Sequence, residues 1–466
     1  LSCLFFRECL HKIFYTIIYF GWFIYFMINI FRNKEIKNAG WLIGGKIIQM
    51  VLSLIVGIIS ARYLGPSNYG LVNYGTTYVS FFMSFCTLGI NSVIIKDFFD
   101  HPEERGTAIG STLILRMISS FASALMIVGI VAVLDNGEPL TIIVVALSSI
   151  SLLFHIFDTF NYYFQSQYKS KITAIATLIA YVSTSIYKII LLIVNASVVW
   201  FAFASSVDYI VLGILLYIFY RVDKGPHLSF SWNKAKSLLK QSYHYILSGM
   251  MVAIYGQTDK LMLKQMLDIS AVGYYSTATT ICSMWTFVLQ AVIDSLYPSV
   301  LLLKEKDGQA YERKNKQLYA IVFYLSVFVS IIFLILGKFI VKLLYGEDYL
   351  PAVLPLKIIT WYTAFSYLGV SRNAWIVCEG KQKYLKYVYL GGAIGNVILN
   401  CIFIPLWGTV GAAVASLVTQ ILTSIILPFF FKGMRRNSIL LLQAIVFIGV
   451  FNKKKAEVDN KDDIIR

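Results

Sequence analysis

The sequence predicts an all-α, polytopic membrane protein with twelve core transmembrane helices in two six-helix lobes. Three observations carry that expectation: the composition, a run of apolar segments of bilayer length, and basic residues confined to alternate gaps. Of 466 residues, 58% are hydrophobic and 14% are charged, against about 45–50% and 25% in soluble domains. Counting Gly (30) in place of Tyr (31) leaves the hydrophobic share essentially unchanged, so the comparison is like for like. A soluble chain of this length divides into several domains, each with a solvated surface to cover. So few charges disfavour a soluble enzyme, a disordered chain and a nucleic-acid-binding module.

A bilayer core takes about 20 apolar residues per helix. Twelve stretches qualify: about 42–61, 76–95, 108–134, 139–164, 172–195, 198–220, 241–262, 273–303, 317–345, 353–378, 384–405 and 409–431. Most are near-continuous Ile, Leu, Val and Phe. The seventh, Ser242 to Met262, is the most polar. The gaps are too short to hold a folded extramembrane domain.

Basic residues divide sharply between alternate gaps. One side carries Arg32, Lys34, Lys37 and Lys46, then Lys96 and Arg105, then Lys169 and Lys171. It continues through the 221–240 loop and Lys304–Lys316 to Lys381, Lys383, Lys386, Lys432, Arg435 and Arg436. The other side has Arg62, Lys260, Lys264, Lys338 and Lys342. The tally is 24 against 5. The positive-inside rule puts the rich side in the cytoplasm, with both ends of the twelve-helix body. Topology thus accounts for most of the net charge of +16, and no nucleic-acid partner is expected.

The end segments fit less well. Residues 13–31 would span only by placing Arg7, His11 and Lys12 outside. Met27 opens a start-like stretch, so residues 1–26 read as an upstream extension, with a thirteenth helix as the alternative. Segment 438–451 is too short to span at 1.5 Å per residue. With Lys453–Lys455 behind it, it reads as an interfacial segment or cytoplasmic tail. The expected organisation is an N-terminal extension 1–32, an N-lobe 33–220, an inter-lobe loop 221–240, a C-lobe 241–432 and a basic tail 433–466. An internal repeat supports the two lobes. Leu64–Tyr74 after helix 1 parallels Leu267–Thr277 after helix 7, with Gly70 and Gly273 in matching positions, 203 residues apart. Parallel repeats place a substrate site near the midplane between halves.

Polar residues inside the spans are the functional candidates, because an intramembrane charge costs several kcal/mol, roughly, unless it faces water or a partner. Helix 3 carries Arg116 and helix 5 Lys188; helix 4 ends with His155, Asp158 and Asn161. Helix 6 has Asp208, helix 7 Asp259, helix 8 Asp294, helix 10 Arg372, and helix 11 Asn396 and Asn400. Structural readings stand beside these. Arg116 or Lys188 pairing with Asp208 would simply hold helices together. Asp158 and Asp259 lie near span ends and suit an interface, Asp294 suits a cap, and the asparagines suit interhelical hydrogen bonds. Polar faces on so many helices nonetheless describe a water-filled, net basic lumen. Arg suits phosphate through its bidentate fork and Lys as a point charge, so an anionic, hydrophilic cargo is expected.

Nothing resembles a catalytic constellation, and no enzyme activity is expected. Gly44-Gly45-Lys46 lacks the earlier glycine of a phosphate-binding loop. Cys3, Cys9, Cys86, Cys282, Cys378 and Cys401 show no CxxC spacing, and the five histidines no HxxxH. Neither a metal site nor a cofactor is expected.

The ordered motifs resemble a known family. They are Asn33-Lys-Glu-Ile-Lys-Asn-Ala-Gly-Trp41, Ala61-Arg-Tyr-Leu-Gly-Pro-Ser-Asn-Tyr-Gly70, Asp259-Lys-Leu-Met262 and Leu296-Tyr-Pro-Ser299. Glu379-Gly-Lys-Gln-Lys-Tyr384, Ile404-Pro-Leu-Trp-Gly408 and Gly411-Ala-Ala-Val-Ala415 follow. Over about 33–432 the chain resembles Wzx-type polysaccharide repeat-unit flippases of the multidrug/oligosaccharidyl-lipid/polysaccharide exporter superfamily. The resemblance implies a V-shaped transporter in the bacterial plasma membrane. Its cargo would be undecaprenyl-pyrophosphate-linked oligosaccharide of O-antigen or capsule, moved to the outer leaflet by alternating access coupled to protons or another cation. It leaves room for a polysaccharide polymerase and a chain-length regulator as partners. Arg116, Lys188 and Arg372 would hold the anionic cargo; Asp208, Asp259 and Asp158 would bind the coupling ion or balance charge. Two other readings remain at this point: a multidrug or metabolite exporter of the same architecture, and a non-transport scaffold in a polysaccharide assembly complex.

Overall fold

The computed structural model describes residues 34–450; the expected extension 1–26 and Lys453–Lys455 lie outside them. Every regular element among the described residues is helical. Nine helical segments among them are long and apolar enough to cross a membrane, from Pro102–Leu134 to Thr409–Phe430. They correspond to nine of the twelve expected spans. The other three, 42–61, 76–95 and 241–262, are helical in whole or large part. The 241–262 stretch is the polar one, and 76–95 is interrupted by a sharp turn.

That turn closes α1 (Lys34–Thr87), two helical stretches that meet at a non-helical residue, Gly65, inside the expected gap between the first and second spans. It kinks at Gly65 (φ 69°, ψ 172°) in front of Pro66. Positive φ with extended ψ is open in practice only to glycine, and Pro66, with no N–H to donate, suits the first turn of the helix that follows. After α1, Leu88 and Gly89 take positive φ and reverse the chain into α2 (Asn91–Asp100). A β-carbon on Gly89 would come within 2.8 Å of the Ser242 carbonyl oxygen and the Tyr245 Cβ.

The chain divides into two compact units. The first holds Phe82–Leu247 with the described residues up to Ser60; the second holds Ala61–Phe81 and the residues from Ser248 onward. In the first unit, α3 (Arg105–Leu134), α5 (Thr159–Ser166), α6 (Ser170–Ile193) and α7 (Val198–Val222) contribute to a core around Ile94, Phe98, Ile109, Phe160, Leu216 and Tyr220, while α4 (Pro139–Phe154) packs on α3 and α7. α3 sorts its residues in the reverse of a soluble helix. Ile118, Phe121 and Leu125 are each about 60% exposed, whereas Thr112, Arg116, Ser120 and Ser123 are buried. An apolar outside with a polar inside is stable where the surrounding solvent is hydrocarbon.

The expected inter-lobe loop is docked rather than free. Gly106 and Gly110 on α3 lie so close to the His227 and Ser229 carbonyls that a β-carbon at either would strike the loop backbone. The Ser231 amide donates to Ser111 Oγ at 3.1 Å. At the start of α8 (Trp232–Met266), Lys234 reaches Asp97 at 2.9 Å and Glu104 at 2.8 Å.

In the second unit, α9 (Ile269–Ser283), α10 (Thr286–Lys306), α11 (Gly308–Tyr345), α12 (Val353–Ser371) and α13 (Asn373–Cys378) are followed by α14 (Leu385–Trp407) and α15 (Thr409–Ile421). A π-helical turn, Leu422–Ile426, interrupts the last expected span. Leu289, Ile293, Leu318, Tyr319, Leu368 and Val388 form the centre of its core. The short apolar segment near the C-terminus contains a helix, Arg435–Ile445, whose Leu440, Leu441 and Ala444 are buried in that core.

Candidate functional site

The most strongly built polar site lies inside the second unit, around Asp259 of α8. This carboxylate is 4% exposed. Its Oδ1 accepts from Asn396 Nδ2 at 3.0 Å and Asn400 Nδ2 at 2.6 Å. Its Oδ2 accepts from Tyr275 Oη at 2.6 Å and from Ser416 Oγ. Tyr275 and Ser416 are themselves 3.0 Å apart. Asn396 and Asn400 stand one turn apart on α14, so both amides reach the same oxygen; Tyr275 comes from α9 and Ser416 from α15. A carboxylate has about four lone-pair directions, and here each meets a neutral donor. The asparagines do join helices, as hydrogen bonds between spans do, but through this acid.

A cavity of about 430 Å³ opens beside Asp259. Tyr255, Tyr275, Tyr362 and Tyr367 supply aromatic surface; Thr279, Thr280 and Ser283 supply hydroxyls. Lys260, half-buried, lines it as well. Asn400 Oδ1 is buried without a hydrogen-bond partner. Carboxylate, amide and hydroxyl oxygens in one place suit a hard monovalent cation or a proton. Rotating an asparagine amide would offer its oxygen in place of its nitrogen.

Arg372 is in the same unit but serves the backbone. It is 2% exposed, and its Nη1 donates to the Thr423 carbonyl at 3.2 Å and the Ser424 carbonyl at 3.1 Å. Those carbonyls belong to the π-helical turn, whose altered pattern leaves backbone acceptors to be satisfied. Arg372 Nε is buried with no hydrogen-bond partner.

In the first unit, Arg116 is fully buried. It donates to Thr159 Oγ1 at 2.9 Å and to Asn91 Oδ1, and it sits 5.9 Å from the Tyr162 ring centre. Asp158 lies within its electrostatic reach and accepts from Asn161 Nδ2 at 3.1 Å. Lys188 and Asp208, both half-buried, interact electrostatically, and Asp208 accepts from Thr184 Oγ1 at 3.4 Å. The structure thus groups Arg116 with Asp158 and Lys188 with Asp208. Asp294 accepts from Gln290 at 2.8 Å on an exposed face.

The family described as polysaccharide biosynthesis protein matches residues 36–304. The chain belongs to that family. Among its relatives is the capsular polysaccharide biosynthesis protein CapF of Staphylococcus aureus, 21% identical over 85% of this chain and 99% of that protein. A putative O-antigen transporter of Shigella dysenteriae is 23% identical over 58% of this chain and 68% of its own length. Two solved structures share the fold. The lipid II flippase MurJ in an inward closed conformation has a TM-score of 0.65 at 15% identity, covering 88% of this chain and 93% of that one. An inward-facing multidrug resistance MATE family transporter of the MOP superfamily has a TM-score of 0.66 at 16% identity, covering 84% and 95%. The Wzx-type, superfamily-level resemblance read from the motifs therefore stands. The nine long apolar helical segments among the described residues and this shared fold are those of a multi-pass membrane protein.

Sequence reasoning missed several members of these sites. Asn91 and Thr159 give no sign of the arginine they hold. Ser416 sits in a small-residue stretch, Gly411–Ala415 and beyond, that reads as helix packing. Lys260 stands in the sequence among the basic residues of the poorer side and in the Asp259–Met262 motif, with no sign that it lines a cavity. Two signals were available: Tyr275 lies in the repeated stretch after Gly273, and Asn396 and Asn400 share a helix face with no packing need for two amides.

Proposed function

We propose that this protein is a flippase for undecaprenyl-pyrophosphate-linked oligosaccharide repeat units of capsule or O-antigen. It moves them from the cytoplasmic to the outer leaflet of the bacterial plasma membrane by alternating access. The observation that carries this reading is the match to a capsular polysaccharide biosynthesis protein along 99% of that relative's length. The polar cavity supports it, since tyrosine faces and hydroxyls suit sugars. Asp259 is the proposed seat of the coupling cation or proton, because it is a deeply buried acid beside a cavity that admits one. Lys188 is the proposed anion contact among the expected cations. Arg116 and Arg372, occupied by protein acceptors, position the helices that shape the path. The two expected lobes, 33–220 and 241–432, are the elements proposed to move, with both ends of the helical body in the cytoplasm.

The test is the sidedness of lipid-linked oligosaccharide in a deletion strain lacking any redundant flippase. Accumulation on the cytoplasmic leaflet, reversed by a plasmid-borne copy, is expected. Normal outer-leaflet oligosaccharide in the deletion would overturn the proposal. The likeness in fold to a multidrug transporter, with an acid in the cavity, supports a second reading: export of drugs or metabolites. It requires a changed drug-susceptibility profile in the same strain, with sidedness intact.

A further inference from the structure

Two successive spans of the second unit, Gln382–Trp407 and Thr409–Phe430, form a hairpin about Gly408, so the start of the first lies beside the end of the second. That shared end is built on aromatic rings. Tyr384 and Tyr387 pack on Phe431, with ring centres 5.6 and 6.1 Å away. Gly433 lets the Tyr384 ring close on the turn after the second span: a β-carbon there would lie 2.7 Å from the ring. Cations sit on the same rings. Lys383 Nζ is 5.4 Å from the centre of the Tyr384 ring, and Lys386 Nζ is 4.9 Å from that of Tyr387. The Arg435 guanidinium is 5.2 Å from the Phe429 ring centre, and its Nε donates to the Phe429 carbonyl at 3.2 Å. Lys432 is exposed in the turn between Phe431 and Gly433.

No acid answers this charge locally. The sequence has no Asp or Glu from Gly380 to Val450. Two acids that precede it are taken, Glu379 by Lys304 and Glu312 by Arg436. Lys383, Lys386, Lys432 and Arg435 are exposed and make no ion pair among the described residues. Beside them Phe430 is 72% exposed and Phe429 39%. Open rings and uncompensated cations at the end of two apolar spans match the boundary between lipid headgroups and acyl chains.

We propose that Lys383, Lys386, Lys432 and Arg435 hold the phosphate of an anionic glycerophospholipid, with its acyl chains against Phe429 and Phe430. The Arg435 fork, oriented by the Phe429 carbonyl, offers its Nη groups to two phosphate oxygens, and the lysines add point charges. The ring contacts keep the ammoniums at headgroup depth. The lipid bridges 383–387 and 429–435, so it ties the foot of α14 to the turn that leads into the helix Arg435–Ile445. A zwitterionic lipid carries a phosphate too, but its own cation is repelled among these four. A soluble phosphate lacks the chains. The inference needs only a membrane protein, so it stands or falls apart from the flippase reading.

The test is fluorescence anisotropy of acyl-labelled phosphatidylglycerol with the purified full-length protein in neutral detergent micelles, at constant ionic strength to hold screening equal. Unlabelled phosphatidylglycerol should displace the probe, with phosphatidylcholine and glycerol phosphate each weaker by at least about 10-fold. Combining Lys383→Gln, Lys386→Gln, Lys432→Gln and Arg435→Gln should weaken the probe by at least about 10-fold, since each basic residue near an anionic surface contributes about 5-fold. A control with Arg221, Lys224, Lys236 and Lys240 changed to Gln has the same net charge and should bind as the wild type does. Changing the three lysines of the site to Arg should retain binding, which separates lost charge from lost fold. Equal weakening in the control would reduce the effect to overall charge and overturn the proposal. Displacement by phosphatidylcholine as strong as by phosphatidylglycerol would also overturn it, by showing that only the chains are recognised. Glycerol phosphate competing as well as the whole lipid would replace the lipid site with one for free phosphate.

Discussion

Gly70 and Gly273, the two glycines 203 residues apart in the sequence repeat, pack against one another. A β-carbon on Gly70 would lie 2.8 Å from the Gly273 nitrogen, and one on Gly273 would lie 3.3 Å from the Gly70 nitrogen while striking the Pro66 carbonyl. Both therefore permit a backbone-to-backbone approach that only glycine allows. Gly273→Ala is expected to lower stability by about 1–3 kcal/mol, the cost of overpacking where a backbone must yield. Thermal unfolding of the purified protein measures it, and an unchanged midpoint would show that the contact opens without cost.

Asp259 joins α8 to α9, α14 and α15 through its four donors. Asp259→Ala should cost about 3 kcal/mol or more, since each buried donor left unpaired costs about 1–3 kcal/mol. Ser416→Ala removes one donor and should cost about half as much, with export reduced and cation dependence retained. Comparing unfolding with export in the two variants checks both statements.

Arg372 satisfies the carbonyls of Thr423 and Ser424 at the π-helical turn. Arg372→Gln should lower stability by about 1.5–3 kcal/mol, the range for hydrogen bonds to a charged group. Export should fall in proportion to folded protein. Loss of export at full stability would instead place Arg372 in contact with cargo.

Arg116 and Asn91 are hydrogen-bonded partners in the first unit. Arg116→Ala, Asn91→Ala and the double variant should be non-additive by about 0.5–3 kcal/mol in unfolding. Additive effects would mean that Arg116 owes its place to Thr159 and Asp158 instead.

Lys234 gives a pH dependence. Burial alone would pull its ammonium down, but hydrogen bonds to Asp97 and Glu104, with their charges, outweigh burial and hold its pKa above the ordinary lysine value. A raised folded-state pKa contributes stability that is complete below the unfolded value, about 10.4, and is lost as pH rises through the folded value. Lys234→Met should therefore unfold at least about 2 °C earlier at neutral pH. The difference from the wild type should shrink only under strongly alkaline conditions. A gap that already closes near pH 8 would contradict the pairing.

Much of the architecture was legible because it follows from local quantities. Apolar runs of bilayer length such as 108–134 and 317–345 can be summed along the chain, and the hydrocarbon that surrounds them demands helix. The break between Thr87 and Asn91 was not legible, because Leu88 and Gly89 adopt positive φ to fit α8, a neighbour more than 150 residues away. The stretch from Pro66 likewise looks like a loop in sequence and is helix in the structure, although the chain does break at Gly65 inside the expected gap.

The candidate charges were found by the same reasoning, since any ionisable residue in an apolar span is conspicuous. Their partners were not, because an asparagine, threonine or serine costs little in a helix and gives no sign of what it faces. By itself the sequence determined the class of protein, its helical spans, the repeat marked by Gly70 and Gly273, and the presence of Arg116, Lys188, Asp208, Asp259 and Arg372 among apolar residues. Only the tertiary structure decided that Asn396, Asn400, Tyr275 and Ser416 converge on Asp259, and that Arg372 serves a π-helical turn. The reason is physical: burial and hydropathy are properties of a segment, whereas a hydrogen bond between helices depends on the rotation and depth of both, which packing alone sets.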